Sequence, residues 1–228
     1  AKHVQRIGHL LLDASLEGFD VNAFAVSKRF SHEWEKTDEI DLFVDEIERM
    51  FQCRGALPLN QRISVDNWFV GGYTGQRVSD YSSFDQTNLR LVDGRHFIHV
   101  QQEKTDVFAD VPIHKRLTEI INTYNGFPPR VAEATINTHI KMLAEIAGIN
   151  TPTKRRRTVG GEKTVEAAPK YSFISTHTAR RSWITNALAA NVPHWIIMQC
   201  CGISLSALRV YDKTRKRSPT QEAQKSEF

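Results

Sequence analysis

The 228-residue sequence contains three cysteines, Cys53, Cys200 and Cys201, an odd number with no CxxC pair. This excludes a disulfide framework and a cysteine zinc site, leaving reduced, buried thiols. No apolar run approaches the ~20 residues of a membrane helix, so no membrane partner is expected. The opening AKHVQRIGHLLLDASLEG lacks the apolar stretch and small-residue cleavage site of a secretory signal, which predicts a cytoplasmic chain. P-loop, metal-ligand cluster, internal repeat and low-complexity tract are all missing, and no metal or cofactor is expected. A dominant charge is missing as well: 30 Lys and Arg face 26 Asp and Glu, for a net +4 and a pI near 9.0. Such a balance permits an anionic partner without demanding one.

An apolar content of 40% suffices for a sizeable core, and the length fits one domain plus an appendage. Acidic residues gather at 33–48, whereas the second half carries Lys154-Arg155-Arg156-Arg157, Arg180-Arg181 and Lys213-Thr214-Arg215-Lys216-Arg217. This asymmetry suggests a basic face able to follow a phosphate backbone; taken singly, each run reads equally well as a solvated loop or tail.

Helical spacing predicts helices at 3–16, 42–51, 62–73, 117–124 and 131–147, with Gly18, Gly71-Gly72 and Gly148 as stop signals, and a short helix after Gly75. Residues 27–39 read as a polar connector. From 89 to 113 the period drops to two. Strands at 89–92 and 96–100 flank Asp93-Gly94, a strong hairpin turn, and a third at 107–113 completes an antiparallel meander with Lys104 on its second turn. Residues 150–170 read as a long basic surface loop with room for a small β-ribbon. Short helices follow at 178–190, 193–200 and 205–213, with Pro193 in a first helical turn.

His177-Thr178-Ala179-Arg180 sets an imidazole and a guanidinium one turn apart at a helix start, both able to face one phosphate. Composition makes roughly one HxxR match expected by chance, and residues 3–6 supply another, so spacing to other groups must decide. Tyr211 follows His177 by 34 residues, and Thr74-Gly75-Gln76-Arg77-Val78-Ser79-Asp80 precedes it by about a hundred. Nothing comparable surrounds His3. Alone, Arg77 is a surface arginine after a glycine turn, Lys104 a solvated turn lysine and Tyr211 a half-buried helical aromatic.

In this order and spacing, TGQRVSD, the turn Lys104, HTARRS and the Tyr211 segment resemble the tyrosine recombinases, or phage integrases, over about residues 38–220. The segment YSFISTHTARRSWITNALAANVPHWIIM is especially similar to integrases of conjugative and mobilisable transposons. The resemblance implies an α+β fold, mainly helical, with a small three-stranded antiparallel sheet. It divides the chain into the last helix of a core-binding domain (1–26), a linker (27–37), the catalytic domain (38–213) and a tail (214–228), within a longer parent protein. The tail, able to form a helix after Pro219, would dock on a neighbouring protomer.

The implied reaction is site-specific cleavage and rejoining of DNA without metal or cofactor. Arg77 and Arg180 would clamp the scissile phosphate, since guanidinium forks match its oxygens. His177 would bond the phosphate or assist proton transfer, Lys104 would protonate the leaving 5′-oxygen, and Tyr211 would form a 3′-phosphotyrosyl link. Asp80 would orient Arg77 or a neighbour. Lys154, Arg155, Arg156, Arg157, Arg181, Lys213 and Arg215 are the expected DNA contacts. The expected partners are double-stranded DNA and further copies of the chain, a tetramer on paired sites, in the bacterial nucleoid when bound. One position departs from the family pattern: Ile203 stands where His or Trp is usual. Either His194 or Trp195 then supplies the missing donor, or catalysis is impaired. A DNA-binding member without full activity and a type IB topoisomerase-like relaxing enzyme stay open as alternatives.

Overall fold

The computed structural model describes residues 2–25, 27, 40–104, 106–159 and 162–212. Most of the predicted linker and the tail with Lys213 and Arg215 lie outside the described residues. The chain forms two compact units. One takes the residues through Asp38 together with Lys154–Glu166; the other runs from Glu39 to Thr153 and from Ala167 onward.

In the first unit, α1 (Lys2–Leu16) leaves Ile7, Leu10, Leu12 and Leu16 exposed. The basic stretch read as a loop is a ribbon of two strands, β4 (Pro152–Val159) and β5 (Glu162–Pro169). Its Lys154–Glu166 segment groups with the N-terminal residues. The described ribbon side chains are mainly polar or exposed and bring little apolar surface to bury in the larger core.

The second unit is organised around α3 (Leu59–Thr74). From Ser64 to Gly72 every residue is buried, as a helix enclosed by neighbours requires. It packs against α7 (Thr176–Ala189), α6 (Glu133–Ile146) and α5 (Lys115–Tyr124). Before it come α2 (Val44–Cys53) and a 3₁₀ turn; after it come the short α4 (Val78–Tyr81), a second 3₁₀ turn and the sheet. Gly75 ends α3 at φ 70°, and its N–H donates to the Gly71 carbonyl at 2.9 Å. A Cβ there would meet Trp183 Cε3 at 2.8 Å and Cys201 Sγ at 3.0 Å. The glycine thus supplies both the left-handed turn and the close approach that presses the next residues against α7 and the chain after it.

The sheet is the expected meander, β1 (Leu89–Val92), β2 (Arg95–Gln101) and β3 (Phe108–Pro112) in sequential antiparallel order. Asp93 and Gly94 both take positive φ at its first turn. Register pairs Ile98 with Val111 and Val100 with Ala109, and all four are buried. A second, small core of Ile184, Leu188, Ile197, Cys201 and Leu208 joins α7 to α8 (His194–Cys201) and α9 (Leu205–Tyr211). Pro193 is the N-cap of α8 and not, as expected, a first-turn residue; α7 begins two residues before its predicted start.

Candidate active site

The start of α7 is fixed from three sides. Trp68 Nε1 donates to the Ser175 carbonyl at 2.8 Å, Asn137 Oδ1 accepts from the Thr176 N–H at 2.7 Å, and Glu133 Oε1 accepts from Thr176 Oγ1 at 2.5 Å. Thr178 Oγ1 takes the Ser175 N–H at 3.0 Å, so Ser175 is the cap and His177 lies inside the first turn. Three residues on, the buried Arg180 donates from Nη1 to the Gly75 carbonyl at 2.8 Å and from Nη2 to the Cys201 carbonyl at 2.6 Å. Those carbonyls close α3 and α8, the helix ends where partial negative charge favours a cation. Two of its five donors are used, leaving others for a ligand.

Arg77 follows Gly75 as the N-cap of α4, and its Nη1 lies 3.8 Å from Asp80 Oδ2. That nitrogen is buried without a hydrogen-bond partner. The other carboxylate oxygen of Asp80 accepts the N–H of Glu103 at 3.0 Å, so Asp80 joins Arg77 to the turn that carries Lys104. Arg77, His177 and Arg180 line one cavity of about 230 Å³ with Val78, Ser79, Glu133 and Thr176. An apolar groove of about 1160 Å³ runs along α2 and the Trp183 face of α7 but contains none of these residues.

Electrostatics suit an anion. Surrounding protein and then the charges of Arg180 and Arg77 hold the His177 pKa below its ordinary value, against a weaker upward pull from Glu133, although the residue keeps contact with solvent. Burial lowers the Arg180 pKa too, with Arg77 adding to the effect, yet a guanidinium remains charged in any working pH range. Two cations and a neutral imidazole thus share a small space.

Lys104 and Tyr211 are outside the lining of this cavity. Lys104 is exposed on the β2–β3 turn. Tyr211, the last residue of α9, is half-buried against the small core. Arg181, expected as a DNA contact, is 6% exposed, and its guanidinium is 4.8 Å from the centre of the Tyr211 ring. Successive helical residues point about 100° apart, which separates Arg181 from the cavity that Arg180 enters. Lys154 and Arg156 are exposed on β4 and Arg155 is half-buried, as strand alternation dictates; the Arg157 side chain is outside the description.

No replacement for the missing donor lines the cavity. His194 opens on another, with Leu205, Leu208, Arg209 and Asp212; Trp195 is 65% exposed; Ile203 packs on the small core. The residues that sequence reasoning missed are Trp68, Glu133 and the buried pair Gln76 and Gln102. Alternation from Ile98 and Val100 would have placed Gln102 inward.

No protein-family model matches the sequence, and no curated protein does. Solved structures do. The XerH site-specific recombinase bound to palindromic difH substrate, in a post-cleavage complex, superposes with a TM-score of 0.56 at 14% identity, over 80% of this chain and 52% of its own. A lambda integrase (75–356) dimer bound to a COC′ core site gives 0.61 at 17% identity, over 94% and 73%. A lambda integrase tetramer bound to a Holliday junction gives 0.54 at 16%, over 87% and 56%. The chain has the tyrosine-recombinase catalytic fold. It spans about half the length of XerH. Within the tyrosine-recombinase fold, the mainly helical architecture and three-stranded meander agree with the sequence expectation, and the two-stranded ribbon is added to it.

Proposed function

We propose that this chain is the cleaving and rejoining part of a site-specific DNA recombinase of the integrase type. The observation that carries the reading is the convergence of Arg77, His177 and Arg180 on one cavity, where Arg77 Nη1 is a buried donor without a hydrogen-bond partner. A phosphate diester brings the oxygens and the charge those groups need, and its pentacoordinate transition state carries more charge than its ground state, so the arginines favour the former.

In this scheme Tyr211 Oη attacks phosphorus, a P–Oη bond forms, and the P–O5′ bond breaks. Lys104 gives the leaving oxygen its proton. His177, whose protonated form burial and the two arginines disfavour beforehand, takes up the phenol proton and then bonds the phosphate as the imidazolium. The phosphotyrosyl link keeps the energy of the broken bond, and a second 5′-hydroxyl reverses the steps on another strand. Double-stranded DNA is the substrate, bound through phosphate contacts that include Lys154 and Arg156. A tetramer on paired sites is the working assembly, as in the lambda integrase complex on a Holliday junction. A nicked suicide substrate tests the scheme: an SDS-stable adduct on the chain, absent from Tyr211→Phe, supports it, and an adduct in that variant removes Tyr211.

One observation favours a second reading, a chain that binds DNA but cuts it poorly. Ile203 has no donor, and neither His194 nor Trp195 lines the cavity. One missing transition-state donor costs on the order of 10²- to 10³-fold in rate. Tight binding of the suicide substrate without any adduct would select this reading.

A further inference from the structure

Gln76 and Gln102 have no part in the scheme above, yet both are 0% exposed. A buried amide is costly unless bonded, and these are bonded to each other and to backbone carbonyls, sharing that of Cys200. Gln102 Nε2 donates to Gln76 Oε1 at 2.9 Å and to the Cys200 carbonyl at 3.0 Å; Gln76 Nε2 donates to the Cys200 carbonyl at 2.7 Å and to the Thr74 carbonyl at 3.2 Å. The bonds connect three places in the chain. Gln76 immediately precedes Arg77, Gln102 is two residues before Lys104, and Cys200 adjoins the carbonyl that holds Arg180. Asp80 ties the same turn once more through the Glu103 N–H. Leucines would fill the volume as well, but only directional bonds fix the turn's angle and register.

We propose that Gln76 and Gln102 are a positioning pair that sets the Lys104 turn against the phosphate cavity, so that the lysine ammonium reaches the leaving 5′-oxygen. The inference rests on the recombinase reading with Lys104 as its acid. In the step concerned the P–O5′ electron pair leaves on oxygen, the proton passes from Lys104 Nζ to that oxygen, and Lys104 is left neutral as the P–Oη bond to Tyr211 completes. The pair touches no reacting atom. Its removal misplaces one proton donor and leaves the cavity lining in place.

The test uses the full chain and two nicked substrates that differ at one atom: an ordinary 5′-oxygen, or a 5′-bridging sulfur, which leaves without needing a proton. Single-turnover cleavage by Gln102→Leu and by Gln76→Leu is expected to fall about 10- to 100-fold on the oxygen substrate, the scale set by small misplacements of a reacting group, and to stay near the parent rate on the sulfur substrate. If Gln102→Leu does not fold by its thermal melt, Gln102→Met, which keeps the side chain's length and removes the amide donor without adding charge, carries the same expectation. Lys104→Ala serves as the control for the underlying reading. If sulfur does not rescue Lys104→Ala, the acid assignment fails. If sulfur rescues Lys104→Ala while the glutamine variants lose rate equally on both substrates, or lose none, the positioning pair is overturned.

Discussion

The cavity and the segment that carries Tyr211 stand on cores of very different size. Behind Arg77 and Arg180 lies the main cluster, with Trp68, Phe69, Met50, Ile140 and Leu143 among its fully buried members. Behind Tyr211 are five buried residues, Ile184, Leu188, Ile197, Cys201 and Leu208. An anion site works best when its donors need no reorganisation, and the larger core provides that. Tyr211 has a lighter hold, one short helix and the Arg181 guanidinium, which suits the proposed nucleophile because such a group must approach phosphorus and later withdraw. Two consecutive arginines on α7 therefore face different surroundings: Arg180 lines the cavity, and Arg181 lies against the Tyr211 ring.

Tyr211→Phe should break the comparison most cleanly, with no covalent adduct and DNA affinity within about twofold of the parent, because one hydroxyl adds little to many phosphate contacts. Filter binding beside SDS gels reads both quantities. Arg180→Ala should lower cleavage about 10²- to 10³-fold and also lower stability by about 2–4 kcal/mol, since the Gly75 and Cys201 carbonyls lose their partner. Arg180→Lys should rescue neither, and wild-type cleavage in either variant would remove the clamp.

Arg181→Met preserves bulk at the second site and deletes its charge. Cleavage should drop about tenfold at unchanged DNA affinity and unchanged salt slope, the signature of a misplaced nucleophile. A fall in affinity with a shallower slope would instead support the DNA-contact role expected from the sequence.

The smallest effect concerns pH. Burial and two arginines disfavour protonated His177, so in the folded chain it stays neutral below the ordinary value of about 6.5. The unfolded chain binds that proton first. Stability is therefore full above about pH 6.5 and declines as pH falls toward the lowered value. The acid limb of cleavage should lie in the same range. Glu133→Gln removes the one group that raises the His177 pKa and should move the limb to still lower pH. A limb at or above 6.5, or one unmoved by Glu133→Gln, would separate the proton chemistry from His177.

Much of the fold was legible because its elements obey simple periods. The Asp93-Gly94 turn and the alternation through Ile98 and Val100 give the meander, and the apolar face of 62–73 gives α3. The ribbon is harder to read because Lys154 to Arg157 set one basic residue beside another, so no face stands out. Of the site, Arg77, His177 and Arg180 were legible through order and spacing. The burial of Arg181 against Tyr211 was not: beside Arg180 it reads as half of a basic run, and only the rotation of a helix separates them. Gln76 and Gln102 were missed because polar residues beside glycines and turns read as solvated until their burial is seen.

Arg180 also has a bearing on the life of the chain in a cell. Its bonds to the Gly75 and Cys201 carbonyls, at the ends of α3 and α8, make a guanidinium of the cavity wall a structural rivet as well. A copy that loses it is unstable, and protein quality control clears unstable chains. Under the proposed function, inactive copies able to occupy a DNA site would thereby be kept scarce, because the change that disarms the cavity also marks the chain for removal.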